Sequence, residues 1–119
     1  WKKALYHTQK NLLAADASDL KSLHRLRIRF KKLRYLMELL ENDLSLSLHR
    51  DTLKQWQERL GGVQDFLVMA RLTKKLGLPT ALQQDFLCRA DDLAQDCIAQ
   101  RAALAQFLLL IDDQVRALP

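Results

Sequence analysis

The sequence predicts an all-α fold, an antiparallel four-helix bundle with long helices and short loops. Three observations carry that expectation. Apolar residues recur at steps of three and four along most of the 119-residue chain, the period of helices with one buried face. Only three glycines and two prolines interrupt them, too few for a turn-rich β architecture. At 49% apolar, the chain can bury a real core, and its length suits one domain over residues 1–119.

The first helix is expected over about Lys2–Ala15, with Leu5, Leu12 and Leu13 on its inner side. Asp16-Ala17-Ser18-Asp19 then offers N-cap chemistry for a second helix from about Leu20 to Asn42. Its core-facing stripe is Leu23, Leu26, Phe30, Leu33, Met37 and Leu40. Leu44-Ser45-Leu46-Ser47-Leu48 alternates as a strand does, but it is short and alone, so a connector with tucked leucines is the better reading. Ser47 or Asp51 is placed to cap a third helix that ends near Leu76, with Trp56, Leu60, Val63 and Leu67 on its apolar face. Gly77 stands where a helix C′ residue belongs, and Pro79 at the start of the next helix.

From Thr80 to Leu118 no helix breaker appears, a run of 39 residues. If continuous it is roughly 58 Å long at about 1.5 Å per residue. One long helix is expected there, and it must bend, break near Gln100 or overhang the bundle.

Several classes fall away. No stretch reaches the roughly 18 uncharged apolar residues of a membrane span, since FLLLI stops at Asp112 and Asp113. No membrane partner is expected. Cys88 and Cys97 would lie about 180° apart on one helix, so they cannot bridge, and two free thiols suit a reducing cytoplasm. No Cys/His spacing resembles a zinc site, and neither metal nor cofactor is expected. The chain opens on Trp1 rather than Met, which suggests a piece of a longer protein.

Charge is concentrated. Between Leu20 and Leu36 lie seven basic side chains (Lys21, Arg25, Arg27, Arg29, Lys31, Lys32, Arg34) and no acidic one. The remainder holds 12 basic and 14 acidic residues, so the net +5 is a +7 segment on a slightly acidic scaffold. Such a distribution points to a polyanion-binding face.

Helical angle sorts these cations. His24, Arg27, Lys31 and Arg34 fall within roughly 80° along one edge of the apolar face, while Arg25, Arg29 and Lys32 point to solvent on the other side. A repeat of about one cation per turn can follow successive phosphates of an extended chain. The stripe is read as uncompensated by any acid on its own helix, which costs stability unless a ligand neutralises it. His24 reads equally as a structural hydrogen-bonding histidine or as a ligand contact. On the third helix Lys54, Gln57, Gly61 and Asp65 share one edge, again within roughly 80°. Gly61 fits either a close approach at that point or a kink at Gly61-Gly62. Asp65 is a candidate ion-pair partner for Arg27, Lys31 or Arg34.

His24-Arg25-Leu26-Arg27-Ile28-Arg29-Phe30-Lys31-Lys32-Leu33-Arg34-Tyr35 resembles the H-x-L-R-[IV]-x-x-K-x-L-R-Y signature of CHAD domains, the conserved-histidine α-helical domains. Leu53, Gln57, Leu60, Gly61 and Asp65 resemble the family's second motif, L-x-x-x-Q-x-x-L-G-x-x-x-D, in family order and at the usual separation. The resemblance implies a bacterial helical domain built from two similar halves that binds inorganic polyphosphate on a basic surface. It often accompanies a CYTH triphosphatase domain. This chain then corresponds to one half, the C-terminal one. By that resemblance His24, Arg27, Lys31, Arg34 and Tyr35 match the first motif, and Lys54, Gln57, Gly61 and Asp65 the second.

Polyphosphate has no base edges, so recognition should rest on Arg and Lys hydrogen bonds and counterion release. Arg27, Lys31, Arg34 and Lys54 are the primary expected contacts, Arg71 and Lys75 secondary ones. Tyr35 is assigned to bundle packing with its hydroxyl at the rim. Nucleic acid is the weaker reading, because aromatics are barely interleaved with the charges. A protein-interaction bundle with the stripe facing an acidic partner is a further alternative. No nucleophile–base pair or magnesium-binding carboxylate cluster supports an enzyme. Asp91, Asp92 and Asp96, like Asp112 and Asp113, read as solvated helix charges.

Overall fold

The apolar steps read along the chain become five helices among the described residues. The computed structural model describes residues 1–44 and 50–118, with side-chain surroundings for 1–40 and 50–118. The elements are α1 (Lys2–Ala14), α2 (Leu20–Leu44), α3 (Arg50–Lys75), α4 (Thr80–Ala99) and α5 (Arg101–Arg116). The fold is all-α, and among the described residues the only β pairing is an isolated bridge between Asp16 and Asp19. The leucine connector and the Ser47 cap lie outside the described residues. Asp51 sits in the first turn of α3 rather than at its cap, where it still favours the helix dipole.

Leu23, Leu26, Phe30, Leu33 and Met37 of α2 are all at most 1% exposed, as the periodicity requires. Trp56, Leu60 and Val63 of α3 are buried against them, together with Leu5 and Leu12 of α1. Leu13 departs from expectation: it is 75% exposed, one step off the inner face that Leu5 and Leu12 define. The α1–α2 turn is tied by Ser22, whose hydroxyl accepts from the Asp16 backbone N–H at 2.9 Å and donates to the Asp19 carbonyl at 2.6 Å. Asp16 itself accepts the Ser18 backbone N–H at 3.0 Å.

At the far end of α3, Gly77 takes φ 69°, a left-handed conformation that suits glycine. Leu78 N–H reaches the Thr73 carbonyl and Gly77 N–H the Lys74 carbonyl, which is the Schellman pattern. The chain then reverses into α4. Small residues bring the two helices close: Ala70, Ala90 and Ala94 are at most 1% exposed, and a Cβ added to Gly62 would stand 2.7 Å from the Leu93 side chain.

The expected single helix after Thr80 is two helices, so the described residues form five helices rather than four. The ladder breaks at Gln100 (φ −98°, ψ 13°) without glycine or proline. Tertiary contacts account for it. Arg59 of α3 donates to the Gln100 side chain, and Arg101 donates to the Ala15 carbonyl at the end of α1. Past the break, Leu104, Leu108 and Ile111 enter the core. Trp1 donates its indole N–H to buried Asp112 at 2.9 Å, pinning α5 to the start of α1. The break lets α5 turn its apolar side onto α1, which a straight continuation of α4 could not do.

Two glycine substitutions should separate. Gly62→Leu must displace Leu93 and should cost about 1–3 kcal/mol of stability. Gly61→Ala meets only the Arg27 side chain at 3.4 Å, and should gain up to about 1 kcal/mol from helix propensity. Denaturant unfolding of the two variants reads this directly. The Asp16 carboxyl is held below its ordinary pKa, chiefly by the Ser18 backbone N–H, then by the Ser18 hydroxyl and Arg101, against partial burial. A depressed folded pKa means its contribution is complete above the ordinary aspartate value and is lost as pH falls through the folded one. The gap in melting temperature between parent and Asp16→Asn should therefore be present at neutral pH and close in strong acid.

Candidate functional site

The stripe predicted on α2 lies along α3, because burying Leu26, Phe30 and Leu33 turns their flanking neighbours toward the adjacent helix. The two helices run antiparallel, so His24 faces the Gln64–Arg71 stretch of α3 and Arg34 faces Gln57. Both motif edges therefore meet in one seam.

Arg34 is the best fixed member. Its guanidinium donates to Gln57 Oε1 at 2.8 Å and to Glu38 Oε1 at 2.9 Å. Glu38 overturns the reading of an uncompensated stripe: an acid on the same helix, four residues on, partly neutralises Arg34. That i,i+4 spacing is a standard helical pair and was visible in the sequence. Asp65 does not take this role. It is exposed, and among the described residues no ion pair includes it.

Arg27 lies across Gly61, with Nε 3.4 Å from where a Cβ would stand. The kink alternative for Gly61 falls away, since α3 runs unbroken through Gly61-Gly62; what lies against Gly61 is the Arg27 side chain at ordinary contact distance, not another backbone. Arg27 Nε and His24 Nδ1 are buried with no hydrogen-bond partner among the described residues. Orphaned buried groups of this kind are rare and need an explanation.

His24 and Arg71 line one cavity of about 350 Å³, joined by Lys21, counted among the seven cations but assigned to neither edge, and by Gln64, which the sequence did not single out. At the other end Arg34 and Lys54 line an opening of about 480 Å³ with Glu38, Arg50 and Asp51. Lys31 sits between, its ammonium 5.8 Å from the centre of the Tyr35 ring. Tyr35 corrects its assignment to packing: at 54% exposure it is a surface residue beneath that lysine. Its angular position puts it beyond the edge of the apolar stripe. Lys75, exposed in the last turn of α3, does not line the cavity that holds His24 and Arg71.

Among the described residues no group of three or more His, Cys, Asp or Glu could hold a metal ion. No helix among them is long and apolar enough to cross a membrane. Cys88 is exposed and Cys97 buried, both free, and burial raises the pKa of Cys97.

Residues 1–74 match the family model described as CHAD domain. No curated protein and no solved structure gives a match. The matched span holds α1, α2 and nearly all of α3, and so the whole seam in which His24, Arg27, Arg34, Gln57 and Gly61 meet. The chain therefore belongs to the CHAD domain family.

Proposed function

We propose that this chain binds inorganic polyphosphate along the α2–α3 seam, without catalysis. The observation that carries the reading is that two of the four unpartnered buried side-chain atoms among the described residues, Arg27 Nε and His24 Nδ1, fall within one row of cations, the others being Arg101 Nε and Gln114 Oε1. Phosphate oxygens drawn into the seam supply acceptors that the protein leaves out. From His24 to Arg34 the row rises about 15 Å, with Arg27 and Lys31 between, so it suits an extended chain of phosphates more than a single one. Lys54 extends the row beyond Arg34, and Lys21 and Arg71 extend it beyond His24. Gln57 and Glu38 orient Arg34. Family membership agrees with polyphosphate binding in general.

In this reading the chain is one half of a two-part domain in a bacterial cytoplasmic protein. Its partner is the other half, and a CYTH triphosphatase domain in the same protein is a compatible neighbour. The exposed Tyr35 ring under Lys31 favours one second reading, single-stranded nucleic acid, since a base can stack where a cation and an aromatic meet. Competition between long-chain polyphosphate and single-stranded DNA at matched ionic strength separates the two. Polyphosphate should displace DNA, and the reverse order would favour the nucleic-acid reading.

Replacing Arg27, Lys31 and Arg34 together with Ala should weaken long-chain polyphosphate binding at least tenfold while the circular dichroism spectrum stays helical. The slope of log affinity against log salt should fall by about 2, roughly 0.7 for each cation by analogy with single strands. Unchanged affinity in a folded triple variant contradicts the site. Phosphate release by the chain, with or without Mg²⁺, contradicts the absence of catalysis.

A further inference from the structure

The outward cations of α2 do not all point to open solvent. Arg29 and Lys32 line a cavity of about 310 Å³ between α1 and α2 together with Trp1, Lys3, Ala4 and His7. A smaller pocket of about 170 Å³ adjoins it, sharing Arg29 and Lys32 and adding Asn11, Arg25 and Ile28. No acidic side chain lines either one. Asp19 pairs with Arg25 at 3.6 Å, but Lys3, Arg29 and Lys32 join no ion pair among the described residues.

The groove is held in register. Buried Thr8 donates to the Ala4 carbonyl at 2.9 Å and approaches the Arg29 carbonyl at 3.4 Å, which locks the two helices at this level. Asn11 donates to the His7 carbonyl at 2.7 Å. Burial lowers the His7 pKa first, and Arg29, Lys3, Lys10 and Lys32 lower it further. Of the α5 charges near this end, Asp112 is taken by Arg116 at 2.9 Å and by the Trp1 indole, and Asp113 is exposed and lines neither pocket.

We infer that this groove is a second phosphoanion subsite, in which Lys3, Arg29 and Lys32 take phosphate oxygens and His7 donates an imidazole N–H. Only the identity of the anion rests on the polyphosphate reading; the groove is a separate surface, on the opposite flank of the α2 core stripe. Like charges brought together without an acid destabilise the fold until an anion arrives. Lys31 and Lys32 are sequence neighbours on the ridge between seam and groove, so a long phosphate chain can cross α2 and occupy both.

The His7 imidazole reports occupancy, because an anion among these cations raises its pKa. Proton NMR titration of the whole chain, with His7 assigned through His7→Gln, should show that pKa rising when inorganic tripolyphosphate is added. The rise should persist in Arg27→Ala/Lys31→Ala/Arg34→Ala and be lost in Lys3→Gln/Arg29→Gln/Lys32→Gln. Long-chain polyphosphate should give the same rise and bind the second variant with a salt slope smaller by about 2. A His7 pKa unmoved by saturating tripolyphosphate in the parent chain overturns the subsite, whatever the variants do. An equal rise in the Lys3/Arg29/Lys32 variant also overturns it. Full polyphosphate affinity in the Arg27/Lys31/Arg34 variant, with His7 behaving as expected, rejects the seam and leaves the groove.

Discussion

The packing of α2 on α3 is the contact on which the rest of the molecule depends. One face of α2 is buried through Leu23, Leu26, Phe30, Leu33 and Met37, and burial at that density allows a single rotation of the helix about its axis. That rotation decides where each cation goes. His24, Arg27 and Arg34 are carried to the α3 side, Arg29 and Lys32 to the α1 side. The hydrophobic core thus sorts the charges, and the distribution of +7 over two grooves follows from the positions of five apolar residues.

Gly61 and Gly62 are adjacent, but they serve different neighbours. Gly61 leaves room for the Arg27 side chain on one face of α3, while Gly62 lets the Leu93 side of α4 close on another. A helix interior with two glycines gives up about 2 kcal/mol of propensity relative to alanine. Only Gly62 gains proximity by it, since an added Cβ there would collide with Leu93 whereas one at Gly61 would just touch Arg27. The α3–α4 contact extends this logic through Ala70, Ala90 and Ala94, where small side chains let the helices approach.

Much of this was legible in the sequence, because periodicity near 3.6 reports which face is buried. The α2 stripe, the α3 face, the Gly77 terminus and the meeting of the two motif edges all follow from it. What escaped was tertiary. A break near Gln100 was one of three options for the last helix, but choosing it over one long helix depends on Arg59, Arg101 and Trp1 finding partners far away in the chain. Asp65 sits at the right angle for an ion pair, but Glu38 reaches Arg34 from its own helix. Tyr35 shares the motif with Arg34 yet lies one step further round, enough to leave its ring exposed. Of the outward cations Arg25 and Lys32 are exposed, as read, and only Arg29 is half-buried, because nothing in α2 alone announces that α1 runs beside it.

The central claim is that the seam holds donors awaiting an anion. Its most direct test is NMR of the arginine side chains, following the Nε–H signals of the chain as long-chain polyphosphate is added. The account predicts that the unpartnered Arg27 Nε–H shifts and becomes more protected from exchange, while Arg116, paired with Asp112 on α5, stays unchanged. An Arg27 signal that does not move at saturating polyphosphate would contradict it.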